Sequence, residues 1–302
     1  MLLNFIKSNN IGNLNENISL KKKTTLRIGG IAKYYLEVNS IKSLKQIIKY
    51  CYETKQKYFI IGNGSNLLIS DEYYDVLFIS LKKLNKVIKL NNNTYFLEAG
   101  TNSISFGKKI VEKGYLDGVH LALIPGSIGG LIYMNASAFK YSMKDITKKV
   151  IYMDKFGNIK SKYDNFEFGY RKSYFQNKAL IIIGVILQFN KYSNNSQEKY
   201  QKFLNIKKTT QPIKSYSAGS IFQNPQDISA WKLIDKCNLR NYSVGDAKVS
   251  NIHTNFLINE KHATFNEMYS LIFYVKRKVK EKFNIDLIPE IKIITKDNIC
   301  PR

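Results

Sequence analysis

Residues 124–138 read IPGSIGGLIYMNASA. Pro125, Gly126, Ser127, Gly129 and Gly130 keep bulky side chains out of the turn. Glycines at this density let backbone N–H groups converge on one concavity, which suits an anion such as a phosphate. The small residues after the apolar run at 131–134, namely Asn135, Ala136, Ser137 and Ala138, let a flat ligand lie against the chain. The plainer alternative is a tight turn feeding a buried strand or helix. A second glycine turn, Gly62, Asn63, Gly64, Ser65 and Asn66, lies between short apolar runs at 58–61 and 67–70. Both flanks read as strands, so this is not the fingerprint in which GxGxxG opens a helix. Its N–H groups suit a pyrophosphate; the alternative is a plain hairpin turn.

At 302 residues, 44% hydrophobic and 13% aromatic, the chain can bury a core and divide into two or three domains. A formal net charge of +24 raises nucleic-acid binding. Yet arginine occurs only at 27, 171, 240, 277 and 302, and the lysines are scattered. A nucleic-acid face clusters its charge and uses the guanidinium fork, so no nucleic-acid partner is expected. Cys51, Cys237 and Cys300 are far apart with no CxxC pair, which points to a reducing compartment and to neither disulfides nor a metal site. The first residues, MLLNFIKSNN, lack signal-peptide features, and the apolar run at 179–189 is too short for a membrane span. A cytoplasmic, soluble monomer is expected.

Along the chain, residues 1–20 are Asn-rich and read as a short arm. Alternation at 24–28 predicts a strand stopped by Gly29 and Gly30, and 34–38 a second. Ser40 fits a helix N-cap, with Ile41, Leu44, Ile47 and Ile48 on one face. Strands are predicted at 76–80 and 94–99, a helix at 103–113, a strand at 149–153 with a turn at 154–158 and a returning strand from 159 onwards, and a buried strand at 179–189. The polar stretch 191–200 marks a domain boundary, followed by a helix at 197–208. Beyond it, the clearest amphipathic helix is 264–283, before a final strand at 292–295.

Three residues stand out chemically. Arg171, in FGYRKS, is a rare arginine between aromatics, and a fixed guanidinium fork is what a planar carboxylate requires. The alternative is a surface arginine packed on Tyr170. Ser220, in SAGSIFQNP, has no GxSxG elbow or triad around it, but as a weak acid it could deliver a proton; the alternative is a turn serine. Glu290 sits among Ile288, Ile291 and Ile293, either as a surface charge or as a poised acid.

The segments TTLRIGG, GNGSNLLI, IPGSIGGLIYMNA, FGYRKS, QP…SAGSIFQNP and PEI, in this order over residues 24–291, resemble the UDP-N-acetylenolpyruvoylglucosamine reductase (UDP-N-acetylmuramate dehydrogenase) family. The resemblance implies an α+β protein: a two-lobed FAD-binding domain of the vanillyl-alcohol oxidase type at 21–192 (lobes about 21–82 and 83–192), then an α+β substrate domain at 200–297. It implies FAD held by Gly62, Asn63, Gly64, Ser65, Asn66, Pro125, Gly126, Ser127, Gly129, Gly130, Asn135 and Ala136. It implies NADPH as reductant, a UDP-sugar substrate contacted by Tyr170 and Asn224, and a place in peptidoglycan precursor synthesis. Arg171 and Glu290 match the pair that engages the substrate carboxylate, and Ser220 matches the proton donor.

The 49-residue spacing from Arg171 to Ser220 resembles the shorter subclass, which lacks a tyrosine-bearing insertion. Ser137 and Lys140 stand where glycine is common, Ile31 where proline is frequent, and Gln223 where a lysine commonly contacts substrate phosphate. Another FAD enzyme of the same fold, oxidising an alcohol or sugar, and a basic binding protein without catalysis are the competing readings.

Overall fold

The computed structural model describes residues 1–139 and 141–299; Lys140 and Cys300 lie outside them. The chain opens with α1 (Leu2–Ser8), β1 (Gly12–Ser19), β2 (Ile31–Val38), α2 (Ile41–Glu53), β3 (Tyr58–Ile61), β4 (Leu67–Ile69) and β5 (Tyr73–Ser80). β1, β2, β5 and β3 form one sheet in that order. The Asn-rich start is therefore not a loose arm. Leu2, Ile6 and Ile11 enter the largest core, Phe5 stacks on Tyr50 of α2 at 4.3 Å, and β1 pairs antiparallel with β2. As an edge strand β1 leaves half its side chains in water, which is why its sequence lacks apolar alternation.

The strand expected at 24–28 does not form. Leu26 and Ile28 are buried, which produces the alternation, but Arg27 between them has φ 58° and breaks extended geometry. α2 begins where expected, with Ser40 Oγ accepting from the Ser43 N–H.

A second sheet, β11-β10-β12-β7-β6, is antiparallel throughout. Its strands are β6 (Val87–Lys89), β7 (Thr94–Glu98), β10 (Thr147–Asp154), β11 (Ile159–Lys162) and β12 (Leu180–Gln188). Between β7 and β10 come α3 (Ser103–Glu112), α4 (Gly118–Leu123), α5 (Ile128–Met134) and a hairpin of β8 (Ser137–Ala138) and β9 (Tyr141–Ser142). The IPGSIGG turn thus feeds a helix, α5.

Next comes α6 (Ser196–Thr210). Tyr200, Phe203 and Leu204 pack it against Val111 of α3 and Val119 and Leu123 of α4. It therefore joins the unit before it, although the polar stretch at 191–200 reads as a boundary.

The remaining chain supplies β13 (Tyr216–Ser220), α7 (Ala230–Lys236), β14 (Ser243–Val244), β15 (Ala247–Val249), β16 (Phe256–Asn259), α8 (Phe265–Phe283) and β17 (Lys292–Ile294). The sheet β13-β16-β15-β14 packs on α8 through Met268, Leu271, Ile272, Val275 and Val279. Thr264 and Glu267 form a capping box at the start of α8, and Asn284 ends it at φ 55°.

β17 then returns to pair in parallel with β4, Lys292 opposite Leu67. The Gly62–Asn66 turn is consequently no hairpin: β3 pairs with β5, β4 with β17, and the turn passes between two sheets. Among the described residues no helix is long and apolar enough to cross a membrane.

Candidate active site

The two glycine turns lie against each other. Ser65 Oγ donates to the Pro125 carbonyl at 3.2 Å. A Cβ on Gly62 would come within 2.6 Å of Ser127 Oγ, so the chains approach as closely as only glycine allows. Gly64 has φ 65° and packs on the Lys23 carbonyl. Ile128 and Gly129 donate their N–H groups to the carbonyls of Thr101 and Ala99. Among the described residues, the N–H groups of Asn63, Gly64, Ser65, Gly126, Ser127 and Gly130 have no acceptor. Unpaired donors on two facing turns fit the phosphates of a dinucleotide such as FAD. Cations gather nearby: beyond its own burial, Lys23 and Arg27 hold the Lys82 ammonium below its usual pKa.

Asn135, expected among the FAD contacts, is also a junction of the backbone. It ends α5 at φ 41°, donates to the Gly169 carbonyl at 2.8 Å and accepts the Lys144 N–H at 3.0 Å. Its amide therefore ties the helix behind the glycine turn to the turn that carries Arg171. In that turn Gly169 and Lys172 exchange backbone hydrogen bonds of 3.1 and 3.2 Å. Arg171 has φ 54°, the left-handed value of the second central residue of a type II turn. Holding a non-glycine residue there costs about 1–2 kcal/mol. Gln176 braces it by donating to the Arg171 and Tyr133 carbonyls at 2.9 and 2.8 Å.

The side chain of Arg171 extends to Glu290, Nε lying 2.6 Å from Oε1, with both side chains about 15% exposed (16% and 14%). The contact is an ion pair by distance, but the Nε–H is not aligned on the oxygen. Burial raises the Glu290 carboxyl above its ordinary value of 4.5, and the Arg171 guanidinium opposes that shift without cancelling it.

Glu290 is also a backbone junction. Its N–H donates to the Ile221 carbonyl at 2.7 Å, and its own carbonyl accepts from Asn66 Nδ2 at 3.2 Å. Ile221 follows Ser220, so the backbone of Glu290 ties the end of the serine strand to the first glycine turn. Ser220 sits at an irregularity of β13, after Gly219 at φ 79°, and the space beside Gly219 is open. The Ser220 hydroxyl has no hydrogen-bond partner among the described residues.

Tyr170 and Asn224 meet across the two halves: the Asn224 N–H donates to the Tyr170 hydroxyl at 3.1 Å. The Asn224 side-chain oxygen accepts from Ala230 N at 3.0 Å, at the start of α7. Beside Arg171 opens a cavity of about 270 Å³ between Asn135, Ser137, Lys144, Phe168 and Tyr170. Arg171 Nη1 donates to Ser137 Oγ at 2.6 Å. The sequence marked Ser137 only as one of the small residues beside the glycine turn; its contact with Arg171 spans 34 positions.

A family model described as "UDP-N-acetylenolpyruvoylglucosamine reductase, C-terminal domain" matches residues 211–294, and an FAD binding domain matches residues 32–161. The UDP-N-acetylenolpyruvoylglucosamine reductase of Caldanaerobacter subterraneus subsp. tengcongensis is 37% identical over 94% of this chain and 94% of its own. The chain belongs to the UDP-N-acetylenolpyruvoylglucosamine reductase family. The Chlamydia felis member is 36% identical over 91% of this chain and 92% of its own. The crystal structure of the Thermus caldophilus reductase superposes with a TM-score of 0.79 at 27% identity, covering 94% of this chain and 100% of that one. As a member of this reductase family, the protein is an FAD-dependent oxidoreductase of α+β fold.

Proposed function

We propose that the protein reduces the enol ether of UDP-N-acetyl-3-O-enolpyruvylglucosamine to UDP-N-acetylmuramate, with NADPH as reductant and FAD held by the two glycine turns. The observation that carries this reading is the meeting of Arg171, Glu290 and the Ser220 strand beside the Gly62–Asn66 turn. Bound FAD would supply the hydride chemistry, accepting hydride from NADPH and returning it to the terminal enol carbon.

The chain's own groups handle charge and proton. Hydride addition drives electron density onto the substrate carboxylate, and Arg171 beside it stabilises that charge where it develops. Glu290, with its raised pKa, holds a proton more readily than an ordinary carboxyl and can donate a hydrogen bond to the same carboxylate. The Ser220 hydroxyl, unengaged by the protein, gives its proton to the carbon adjacent to the hydride acceptor and recovers one from solvent. One hydride and one proton thus saturate the double bond. Tyr170 and Asn224, joined across the halves, are proposed to line the sugar-nucleotide path.

The test is NADPH oxidation by the purified flavoprotein. Consumption that requires the enolpyruvyl sugar nucleotide and yields UDP-N-acetylmuramate is expected. Flavin reduction without reoxidation by that substrate overturns the reading.

A further inference from the structure

The Arg171 guanidinium lies 5.2 Å from the centre of the Tyr170 ring and is approached along its edges by two further groups. Nε faces Glu290 Oε1 at 2.6 Å, while Nη1 donates to Ser137 Oγ at 2.6 Å. Nη2 has no partner among the described residues, and the cavity of about 270 Å³ opens at the guanidinium. A guanidinium presents its donors in one rigid plane, so the Nη1 hydrogen bond, the ion pair and the Tyr170 ring together set where the third edge points.

The strand that carries Ser137 is tied to its surroundings at several points. Ser137 pairs with Ser142 in the β8–β9 hairpin. Asn135 holds the base of that hairpin through Lys144 N, and Phe139 at its tip stacks on Phe203 of α6 at 4.2 Å. Tyr141 stacks parallel to buried His120 at 5.9 Å. These ties hold the Ser137 hydroxyl against the Arg171 guanidinium.

We propose that Ser137 is a positioning residue for substrate reduction: it fixes the Arg171 guanidinium so that its free edge faces the cavity and receives the substrate carboxylate. The proposal rests on the reductase reading above. Without the hydroxyl, the fork keeps its charge but loses its orientation, so substrate capture and hydride acceptance both weaken while flavin reduction by NADPH does not.

Steady-state and half-reaction kinetics of Ser137→Ala, Ser137→Gly and Ser137→Thr decide it. Ala and Gly are expected to keep flavin content and the NADPH half-reaction, and to lower kcat/KM for the enolpyruvyl sugar nucleotide roughly tenfold. Thr, which restores the acceptor, should return kcat/KM to within about twofold of wild type. An unchanged kcat/KM in Ala and Gly overturns the proposal, as does equal loss of both half-reactions or of flavin. Wild-type protein that never turns this substrate over overturns the reductase reading instead. In that event crystal structures still judge Ser137: a displaced Arg171 guanidinium in Ser137→Ala upholds its positioning role, and an unmoved one ends it.

Discussion

Arg171 Nε stands 2.6 Å from Glu290 Oε1, across 119 positions of sequence and between the two halves of the molecule. The guanidinium pulls the carboxyl's pKa down and burial pushes it up, with burial the larger. The folded protein therefore binds this proton more tightly than the unfolded chain. Ionisation costs stability; the cost is absent below the ordinary value of 4.5 and complete above the raised folded value. The Tm of wild type relative to Glu290→Gln is expected to rise as pH falls through the raised folded value towards 4.5. A constant difference, measured by calorimetry, would show that the carboxyl titrates normally.

Ser220→Ala should separate the half-reactions. Reduction of the flavin by NADPH is expected to remain near wild type, because the hydroxyl has no part in it. Reoxidation by the enolpyruvyl sugar nucleotide should slow by about 10²–10⁴, the usual contribution of a positioned acid. Stopped-flow traces in which both phases survive would remove Ser220 from the mechanism.

The contact between the glycine turns can be probed by a paired substitution. Gly62→Ala places a methyl within 2.6 Å of Ser127 Oγ, crowding worth roughly 1–3 kcal/mol. Flavin affinity is expected to weaken about tenfold or more. Adding Ser127→Ala removes the obstructing oxygen and should recover most of the loss. Should the double variant bind flavin no better than Gly62→Ala, the turns do not share the cofactor in the way inferred.

His120 governs acid stability. It is 1% exposed, stacks on Tyr141, and neither ring nitrogen has a well-formed hydrogen bond among the described residues. Burial lowers its pKa from 6.5 to about 4. Above the ordinary value both folded and unfolded chains carry it neutral. As pH drops below that value the unfolded chain takes the proton and the folded one does not, until about 4. The protein should lose about 3 kcal/mol across this window through His120 alone. His120→Phe, which keeps the ring stack, is expected to unfold at lower pH than wild type; coincident acid titrations would contradict this.

Much of the molecule was legible residue by residue. Ser40 announces α2 because its hydroxyl caps the Ser43 N–H, a bond made within one turn. The apolar face of α8 and its Thr264 cap are equally local. The misses have a common cause. β1 hides its strand character because only its partner β2 and the core behind it decide which positions are wet. The alternation at 24–28 imitates a strand because two side chains are buried from a loop. The turn at 62–66 imitates a hairpin because nothing nearby says that β4 pairs with a strand more than two hundred residues later.

The sequence by itself determined the glycine turns, the helices with their caps, and the residue types able to carry charge and proton. Those properties follow from backbone freedom and side-chain chemistry within a few positions. Only the tertiary structure decided that Glu290 joins Asn66, Ile221 and Arg171, that Asn135 ties α5 to the turn carrying Arg171, and that Ser137 accepts from the guanidinium. Such contacts form when separate sheets and helices bury their apolar faces together, and no local pattern encodes which distant groups that packing brings within a hydrogen bond of each other.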